Sequence, residues 1–233
     1  MELHEITEKL YALADSDKIK LKEQKFGIYA ANSLGIYHQD LKKIAKEIGR
    51  DNELALALFD SGIYEARILC SKIYNPADIT QQQMESWVNT FENWEICDSF
   101  CMGFFVKSNH ALQKAIEWSN NPDEYIKRAG FVIMAAYGFA HKKADNCVFE
   151  SFFPIIEREA HDDRIYVKKA VNWALRNIGK RNKDLHKQAL EVANRILLSK
   201  NKAAKWIAKN AIGELGKPNV NVLDYPREIY RPK

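Results

Sequence analysis

Residues 169–180 of this 233-residue chain read KAVNWALRNIGK. A related stretch, WIAKNAIGELGK, occupies residues 206–217, so that Gly179-Lys180 and Gly216-Lys217 correspond at a spacing of 37 residues. Both stretches place apolar residues three and four positions apart, which is the spacing that predicts an amphipathic helix. Arg128 and Lys169, 41 residues apart, also stand near the start of similar apolar helices. These echoes predict a helical unit that repeats about every 40 residues.

The helical spacing extends over most of the chain, and no segment shows the alternation that is typical of a strand. We therefore predict an all-α fold, specifically a HEAT-like α-solenoid of antiparallel helix pairs with a concave basic face. In the alternative interpretation, ordinary amphipathic helices that do not form a repeat produce this weak sequence similarity. We expect one domain over residues 1–218 and an irregular C-terminal tail over residues 219–233, where Pro226 and Pro232 lie.

The positive charge of the chain is concentrated in one region. Residues 164–217 contain 14 Lys or Arg and only three acids, a net charge of +11, whereas the whole chain carries +4. The remainder is therefore acidic, with a net charge of −7. Such asymmetry is typical of proteins that bind a polyanion such as nucleic acid, although a run of charge is often only a solvated face.

The helix predicted from Tyr166 to Lys180 has two distinct faces. Val and Ala residues form an apolar stripe, and the other face carries Lys169, Trp173, Arg176 and Lys180 at intervals of four, three and four. In one interpretation, the aliphatic stems of the charged residues cover the indole. In the other, which the local charge favours, the basic residues hold phosphates while the indole packs on a sugar or base.

A second informative helix is predicted from Trp94 to Val106. Trp94, Asp98, Cys101 and Phe105 share one of its faces, which we expect to be buried. Because an unpaired carboxylate is costly to bury, Asp98 is either paired, or lines a cleft, or this face is wrongly assigned. If the protein is an enzyme, Asp98 is the best candidate for its catalytic group.

Several classes of site are absent from the sequence. There is no phosphate-binding glycine loop, no Gly-x-Ser-x-Gly and no His-Glu-x-x-His, and the six His residues are scattered. His161-Asp162-Asp163 reads as a turn rather than a metal site. We therefore expect neither a metal nor a cofactor. Four cysteines lie within apolar helical patterns and are predicted to be reduced core residues: Cys70, Cys97, Cys101 and Cys147.

No membrane segment is expected. The longest apolar run, residues 130–140, has 11 residues and is too short to span a bilayer. The acidic N-terminus shows no signal peptide. We expect a cytoplasmic protein.

Three short motifs resemble those of the AlkD-like DNA alkylation repair proteins, which are HEAT-like-repeat DNA glycosylases. The first is Trp94-x-x-x-Asp98, the second is YIKRA at residues 125–129, and the third is VKKAVNWALR at residues 167–176. The resemblance covers roughly residues 20–215. The sequence departs from the family at Asn93 and Glu95, where the best-known members have a second tryptophan and an aspartate.

The resemblance implies that Asp98 is the catalytic aspartate and that Trp94, Trp173 and Arg128 bind the substrate, with Trp173 on the opposite wall of the site. The implied reaction is excision of cationic N3- or N7-alkylated purines from double-stranded DNA, without flipping the lesion into a pocket. The carboxylate would stabilise an oxocarbenium-like sugar and orient water. We expect a monomer whose contacts to the DNA backbone come from Lys168, Lys169, Arg176 and Lys180.

Two other functions are compatible with the same residues. A noncatalytic binder of damaged or branched DNA would keep the basic face but release no base. A HEAT-like protein-interaction scaffold would use Trp94 and Trp173 as core residues and Asp98 as a satisfied structural carboxylate. The carboxylate argues against the DNA binder, because a negative charge that faces phosphates is unfavourable without a chemical use.

Overall fold

The computed structural model describes residues 1–225, and every regular element within them is helical, so the predicted all-α fold is confirmed. The chain divides into two compact units, Met1–Asn109 and the residues from His110 onward. The helices of the first unit are α1 (Leu3–Ala12), α2 (Ser16–Phe26), α3 (His38–Ile48), α4 (Asn52–Asp60), α5 (Tyr64–Ile73), α6 (Gln81–Val88) and α7 (Trp94–Gly103), followed by a 3-10 turn (Phe105–Lys107).

The second unit also contains seven α-helices within the described residues. They are α8 (Ala111–Trp118), α9 (Glu124–Ala140), α10 (Asn146–Glu150), α11 (Phe152–Glu159), α12 (Ile165–Gly179), α13 (Lys183–Leu197) and α14 (Lys202–Leu215). In neither unit is any described helix both long enough and apolar enough to cross a membrane. The single domain predicted for residues 1–218 stays a prediction.

Contacts between helices of the second unit recur at a nearly constant separation along the chain. Arg128 of α9 donates to the carbonyl of Tyr166, 38 residues later in α12. Arg176 of α12 donates to Glu214 of α14, again 38 residues later. The same separation joins α11 to α13 through Glu157 and Arg195. The repeat of about 40 residues predicted from the sequence is therefore a packing register between helices of the second unit.

Two glycines permit the closest helix approaches in the second unit. A Cβ on Gly179 would lie 2.8 Å from a methyl carbon of Leu215 in α14 and 2.9 Å from the Cβ of Ala189 in α13. A Cβ on Gly130 of α9 would lie 2.6 Å from the backbone nitrogen of Ser119, just after α8. Any side chain at either position would force these helices apart, so the Gly of the repeated Gly-Lys pair at residues 179–180 is required by packing.

The core of the first unit is aromatic and surrounds α5, which packs against α1, α3, α4 and α7. The ring of Trp87 stacks on Phe59 with centroids 5.0 Å apart and meets Phe100 of α7 edge-on at 5.6 Å. Each such pair contributes about 0.5–1.5 kcal/mol beyond the burial of its apolar area. Because Phe100 is anchored in this cluster, the rotation of α7 about its axis is fixed.

The helix that carries Asp98 is shorter than predicted. It ends at Gly103, so Phe105 belongs to the following 3-10 turn and not to the face that carries Trp94 and Asp98. Cys101 and Phe105 are fully buried, whereas Trp94 and Asp98 are only half-buried. The prediction that one face of α7 is uniformly buried is therefore wrong, because the buried side of this helix is the side that carries Phe100.

Side chains cap two of the helices. Thr80 and Asp123 accept hydrogen bonds from backbone amides in the first turns of α6 and α9. Asp40 lies in the first turn of α3, which begins after Tyr37, and pairs with Lys43. Helices α10 and α11 meet at Ser151.

Burial corrects one further prediction. Cys70, Cys97 and Cys101 are buried free thiols, but Cys147 is exposed because it lies in the first turn of the short α10. Residues 219–225 form no helix. The rest of the predicted irregular tail, residues 226–233, lies outside the described residues.

Candidate functional site

Asp98 and Trp94 line one open cleft of the first unit, with a volume of about 830 Å³. We call it the Asp98 cleft; its other polar side chains are those of His38, Lys42, Lys72, Glu95 and Ser99. The two residues are one helical turn apart on α7, so both side chains border the same space. Of the three interpretations of Asp98, the one in which it lines a cleft therefore has direct geometric support.

The start of α7 is held firmly by Asn93. Its side-chain oxygen accepts hydrogen bonds from the backbone amides of Glu95 and Ile96, the usual arrangement of an N-cap. The same oxygen accepts the hydroxyl of Tyr64 at 2.9 Å, and the Asn93 amide nitrogen donates to the carbonyl of Tyr29 at 3.1 Å. Asn93, at which this chain departs from the family pattern, therefore fixes the position of the helix.

Trp94 is fixed by a hydrogen bond of its own. Its indole nitrogen donates to the carbonyl of Phe26 at 3.0 Å, at the end of α2. One edge of the indole is thus used in structure, while the half-buried ring borders the Asp98 cleft. An aromatic ring held in this way can meet a substrate without first losing conformational freedom.

Glu95, the second departure from the family pattern, is the centre of a buried polar network. Its carboxylate accepts from Lys22 and from the hydroxyl of Tyr64, each at 3.0 Å, and lies 3.4 Å from Nε2 of His38. Glu95 and Lys22 are only 7% and 4% exposed. Burial acts to raise the pKa of Glu95, but the His38 hydrogen bond and the Lys22 ammonium outweigh it and hold the pKa below its usual range.

Lys72 is a second residue of the cleft, after Glu95, whose pKa is shifted. Burial, with a smaller contribution from the neighbouring Lys42 ammonium, lowers the pKa of Lys72 to about 8, and Glu95 partly opposes this change. His38 Nε2 also lies 3.5 Å from the hydroxyl of Ser99. The Asp98 cleft therefore combines two carboxylates with two lysines, an imidazole and an indole.

A cleft of the second unit gathers four of the predicted residues: Arg128, Lys169, Trp173 and Arg176. We call it the Trp173 cleft; its volume is about 630 Å³, and it is also lined by Asn172, Trp206 and Asn210. Arg128 is buried, and its guanidinium donates to the carbonyl of Tyr166 at 2.7 Å, which fixes the start of α12. Lys169 is exposed and lies in no ion pair with another residue in the range 1–225.

Lys169, Arg176 and Lys180 form a basic ridge on α12 and its C-cap, and an acid of α14 partly neutralises it. Glu214 of α14 accepts hydrogen bonds from both Arg176 and Lys180. Burial acts to raise the pKa of Glu214, but these two cations outweigh it and lower the pKa. Lys168 is engaged differently, since its ammonium lies over the indole of Trp206, 5.2 Å from the ring centroid.

No described residues form a metal site, since within residues 1–225 no three His, Cys, Asp or Glu side chains come together as ligands. The turn predicted at His161-Asp162-Asp163 is present between α11 and α12. Asp162 forms ion pairs with Arg164 at 2.5 Å and with Lys127 at 3.4 Å. These contacts give the segment a structural role.

Several residues of both clefts were missed in the sequence. His38, Lys42 and Lys72 lie on helices far from α7 in sequence, and nothing in their spacing connects them with Asp98. Trp206 and Asn210 could have been found, because both lie in the stretch at residues 206–217 that echoes the Trp173 helix.

Comparison with known proteins extends these observations. The sequence pattern of a DNA alkylation repair enzyme family matches residues 6–215. A curated relative, the uncharacterized protein Lin0241 of Listeria innocua, is 24% identical over 190 residues, which cover 80% of this chain and 83% of that protein.

A solved structure is similar over nearly the whole chain. It is described as "a new family of proteins related to the HEAT-like repeat DNA glycosylases with affinity for branched DNA structures". Its TM-score is 0.73 at 21% identity, covering 93% of this chain and 97% of that one. At this identity the similarity shows a shared fold. The chain therefore belongs to the DNA alkylation repair enzyme family and has a HEAT-like helical-repeat fold.

Proposed function

We propose that the protein is a DNA glycosylase that excises cationic N3- or N7-alkylated purines from double-stranded DNA, with Asp98 as its catalytic carboxylate. The observation that carries this proposal is that Asp98 and Trp94 line one open cleft in a member of the DNA alkylation repair enzyme family. Glu95, the other acid of this cleft, is buried within a structural network. Asp98 borders space that a substrate can enter.

The chemistry requires little besides a fixed negative charge. Alkylation at N3 or N7 makes the purine cationic, so the bond from C1′ to the base nitrogen breaks with both electrons passing to the base. The base leaves neutral, and positive charge develops on the sugar. A carboxylate beside the sugar stabilises that charge and orients the water that adds to C1′, whose proton passes to the carboxylate or to solvent. The ring of Trp94 favours the same charge through its negative face.

Lys42 and Lys72 reduce the repulsion between the carboxylate of this site and the DNA phosphates. A carboxylate near a DNA strand is repelled by phosphates, and the two ammonium groups that share the cleft offset that repulsion. We propose that they bind the phosphates that flank the lesion. Because phosphate contacts set the register of the strand, they would bring the sugar of the lesion to Asp98.

The second unit is proposed to supply further contacts to DNA. Trp173 and Arg128 are proposed to bind the substrate, and Lys169 is the most accessible of the predicted backbone contacts. Lys168, Arg176 and Lys180 already have partners within the unit, so phosphates must share or displace those partners.

A noncatalytic binder of branched DNA is the second candidate. It is favoured by the solved structure of similar fold, whose description gives affinity for branched DNA. Such a protein would use the same basic residues and leave the glycosidic bond intact. Asp98 would then have only a structural role.

A base-release assay separates the two candidates. The wild-type protein is incubated with duplex DNA that carries 7-methylguanine or 3-methyladenine, and the free base and the abasic strand are measured together. A glycosylase produces both in equal amounts, and neutralising an exposed acid elsewhere in the first unit, as in Glu53→Gln, leaves the rate unchanged. If no base is released from DNA that the protein binds, the noncatalytic function is correct.

A further inference from the structure

The surface between α12 and α14 carries three contacts at regular spacing. Lys168 lies over Trp206, Asn172 donates to Asn210, and Arg176 donates to Glu214, each pair being 38 residues apart. The last is an ion pair, in which the buried Nε of Arg176 donates to no residue in the range 1–225. The first two contacts leave part of an indole ring and part of an amide pair available to a ligand, and both border the Trp173 cleft.

Trp206 is a large aromatic side chain that the fold leaves accessible. Its residue is 39% exposed and lines the cleft beside Trp173. The Lys168 ammonium lies over the ring at 5.2 Å, which holds the indole in place through a cation–π contact. An indole fixed in this way is a stacking platform for a planar group.

The neighbouring amide pair offers complementary hydrogen-bonding groups. Asn172 is 2% exposed, and its Nδ2 donates to Oδ1 of Asn210 at 2.7 Å. The Asn172 Oδ1 is buried and accepts no hydrogen bond from any residue in the range 1–225. Since the Oδ1 of Asn210 is already used, that exposed residue presents its Nδ2 as a donor. An unused acceptor therefore lies close to an oriented donor, and a buried acceptor without a partner is costly.

From these contacts we propose that the Trp173 cleft binds one unpaired nucleotide of DNA, whose base stacks on Trp206 and whose edge bonds the Asn172–Asn210 amide pair. Nucleobases are planar and carry adjacent donors and acceptors on their edges, so a base can complete the hydrogen bonds that the amide pair leaves unmade. The exposed Lys169 holds the phosphate of the same nucleotide.

The cations of the cleft suit the backbone of the same strand. Arg128, Lys169 and Arg176 all line it, so the phosphates that flank the bound nucleotide are attracted to it. The inference rests on the DNA binding of the proposed function, but not on the chemistry of Asp98.

A binding experiment with two bulged duplexes tests the inference. One short dye-labelled duplex has a single unpaired thymine, and the other has an abasic tetrahydrofuran residue at the same place, so only the base differs. Fluorescence anisotropy should give wild-type affinity at least about fivefold higher for the thymine bulge, the lower limit for one stacked base. Trp206→Leu removes the stacking contribution and should lower this ratio by about fivefold, while Trp206→Phe, which keeps a ring, should retain part of it.

Two controls keep this result specific. Phe139→Leu removes another exposed aromatic ring of the second unit and should leave the ratio unchanged. Asp98→Asn should also leave it unchanged, even though base release is lost. Equal wild-type affinities for the two bulges, or a full ratio in a folded Trp206→Leu protein, would overturn the inference. If the ratio persists while the wild-type protein releases no base, the glycosylase proposal fails and this one stands.

Discussion

The two clefts differ in how their charges are held. Behind the Asp98 cleft, the buried pair of Lys22 and Glu95 ties α2 to α7 and fixes the helix that carries the carboxylate. At the Trp173 cleft the ion pairs are more accessible, since Glu214 binds the partly exposed side chains of Arg176 and Lys180. A reacting group needs a rigid support, whereas a phosphate-binding surface works with cations that can exchange partners. The comparison predicts that mutations behind the first cleft affect stability, and that mutations in the second affect affinity.

The largest effect is expected from Glu95→Gln. The change leaves the Lys22 ammonium buried without its carboxylate, which should lower the free energy of unfolding by about 3–5 kcal/mol. Urea denaturation at neutral pH measures it, with Glu53→Gln on the exposed surface as the control. Because the folded-state pKa of Glu95 lies below its ordinary value of 4.5, the contribution is complete at neutral pH and is lost as the pH falls below about 4.5. If Glu95→Gln and Glu53→Gln were equally stable, the Lys22–Glu95 pair would not be the support that holds α7.

A smaller effect on stability is expected from Lys72→Met. The folded protein disfavours the Lys72 ammonium, so wild-type stability is reduced below pH 8 and recovers as the pH rises from about 8 toward 10.5. The variant should therefore be more stable than wild type by about 1 kcal/mol at pH 7, since solvent in the cleft screens the charge. Its advantage should shrink at pH 10. Lys46→Met, an exposed lysine of α3, serves as the control; an advantage that does not change with pH would refute the depressed pKa.

The second cleft is tested by Lys169→Ala. Removing this exposed cation should weaken binding to any duplex by about fivefold and reduce the salt slope of log affinity by about one unit. Anisotropy titrations at several salt concentrations measure both quantities. The matched control is Lys46→Ala, on α3 of the first unit. An unchanged salt slope in the Lys169 variant would mean that the DNA backbone is bound elsewhere.

The smallest effect is expected from Glu214→Gln. The change releases Arg176 and Lys180 from their shared carboxylate, so affinity for duplex DNA should rise by about twofold and the salt slope should steepen. The same titrations report the change. Weaker binding would show instead that Glu214 is needed to orient the two cations.

The sequence predicted the parts of the fold that local spacing determines. The helices around Trp94 and Trp173 follow from apolar residues three and four positions apart. The 37-residue offset between residues 169–180 and 206–217 is within one residue of the 38-residue packing register. By contrast, local spacing does not predict α2, because its sequence, SDKIKLKEQKF, has few apolar residues. It is held instead by the buried contact of Lys22 with Glu95, 73 residues away, which no local pattern reveals.

The candidate sites were predicted less completely for the same reason. The spacing of Trp94 and Asp98 on one helix face is a local property, and both side chains do line one cleft. The ridge of Lys169, Trp173 and Arg176 is also local, and these residues share a cleft. That Glu214 neutralises part of the ridge depends on packing between α12 and α14, so counting charges along the chain overstated the free positive charge.

The proposed role of Asp98 in base release is tested by a single-turnover experiment. The rate of 7-methylguanine release from duplex DNA is measured for wild type and Asp98→Asn, together with their affinities for the same duplex. The variant should release the base at least about 100-fold more slowly, the cost of losing one electrostatic stabiliser of the transition state, with unchanged affinity. Release by the variant at the wild-type rate would show that Asp98 is not the catalytic group.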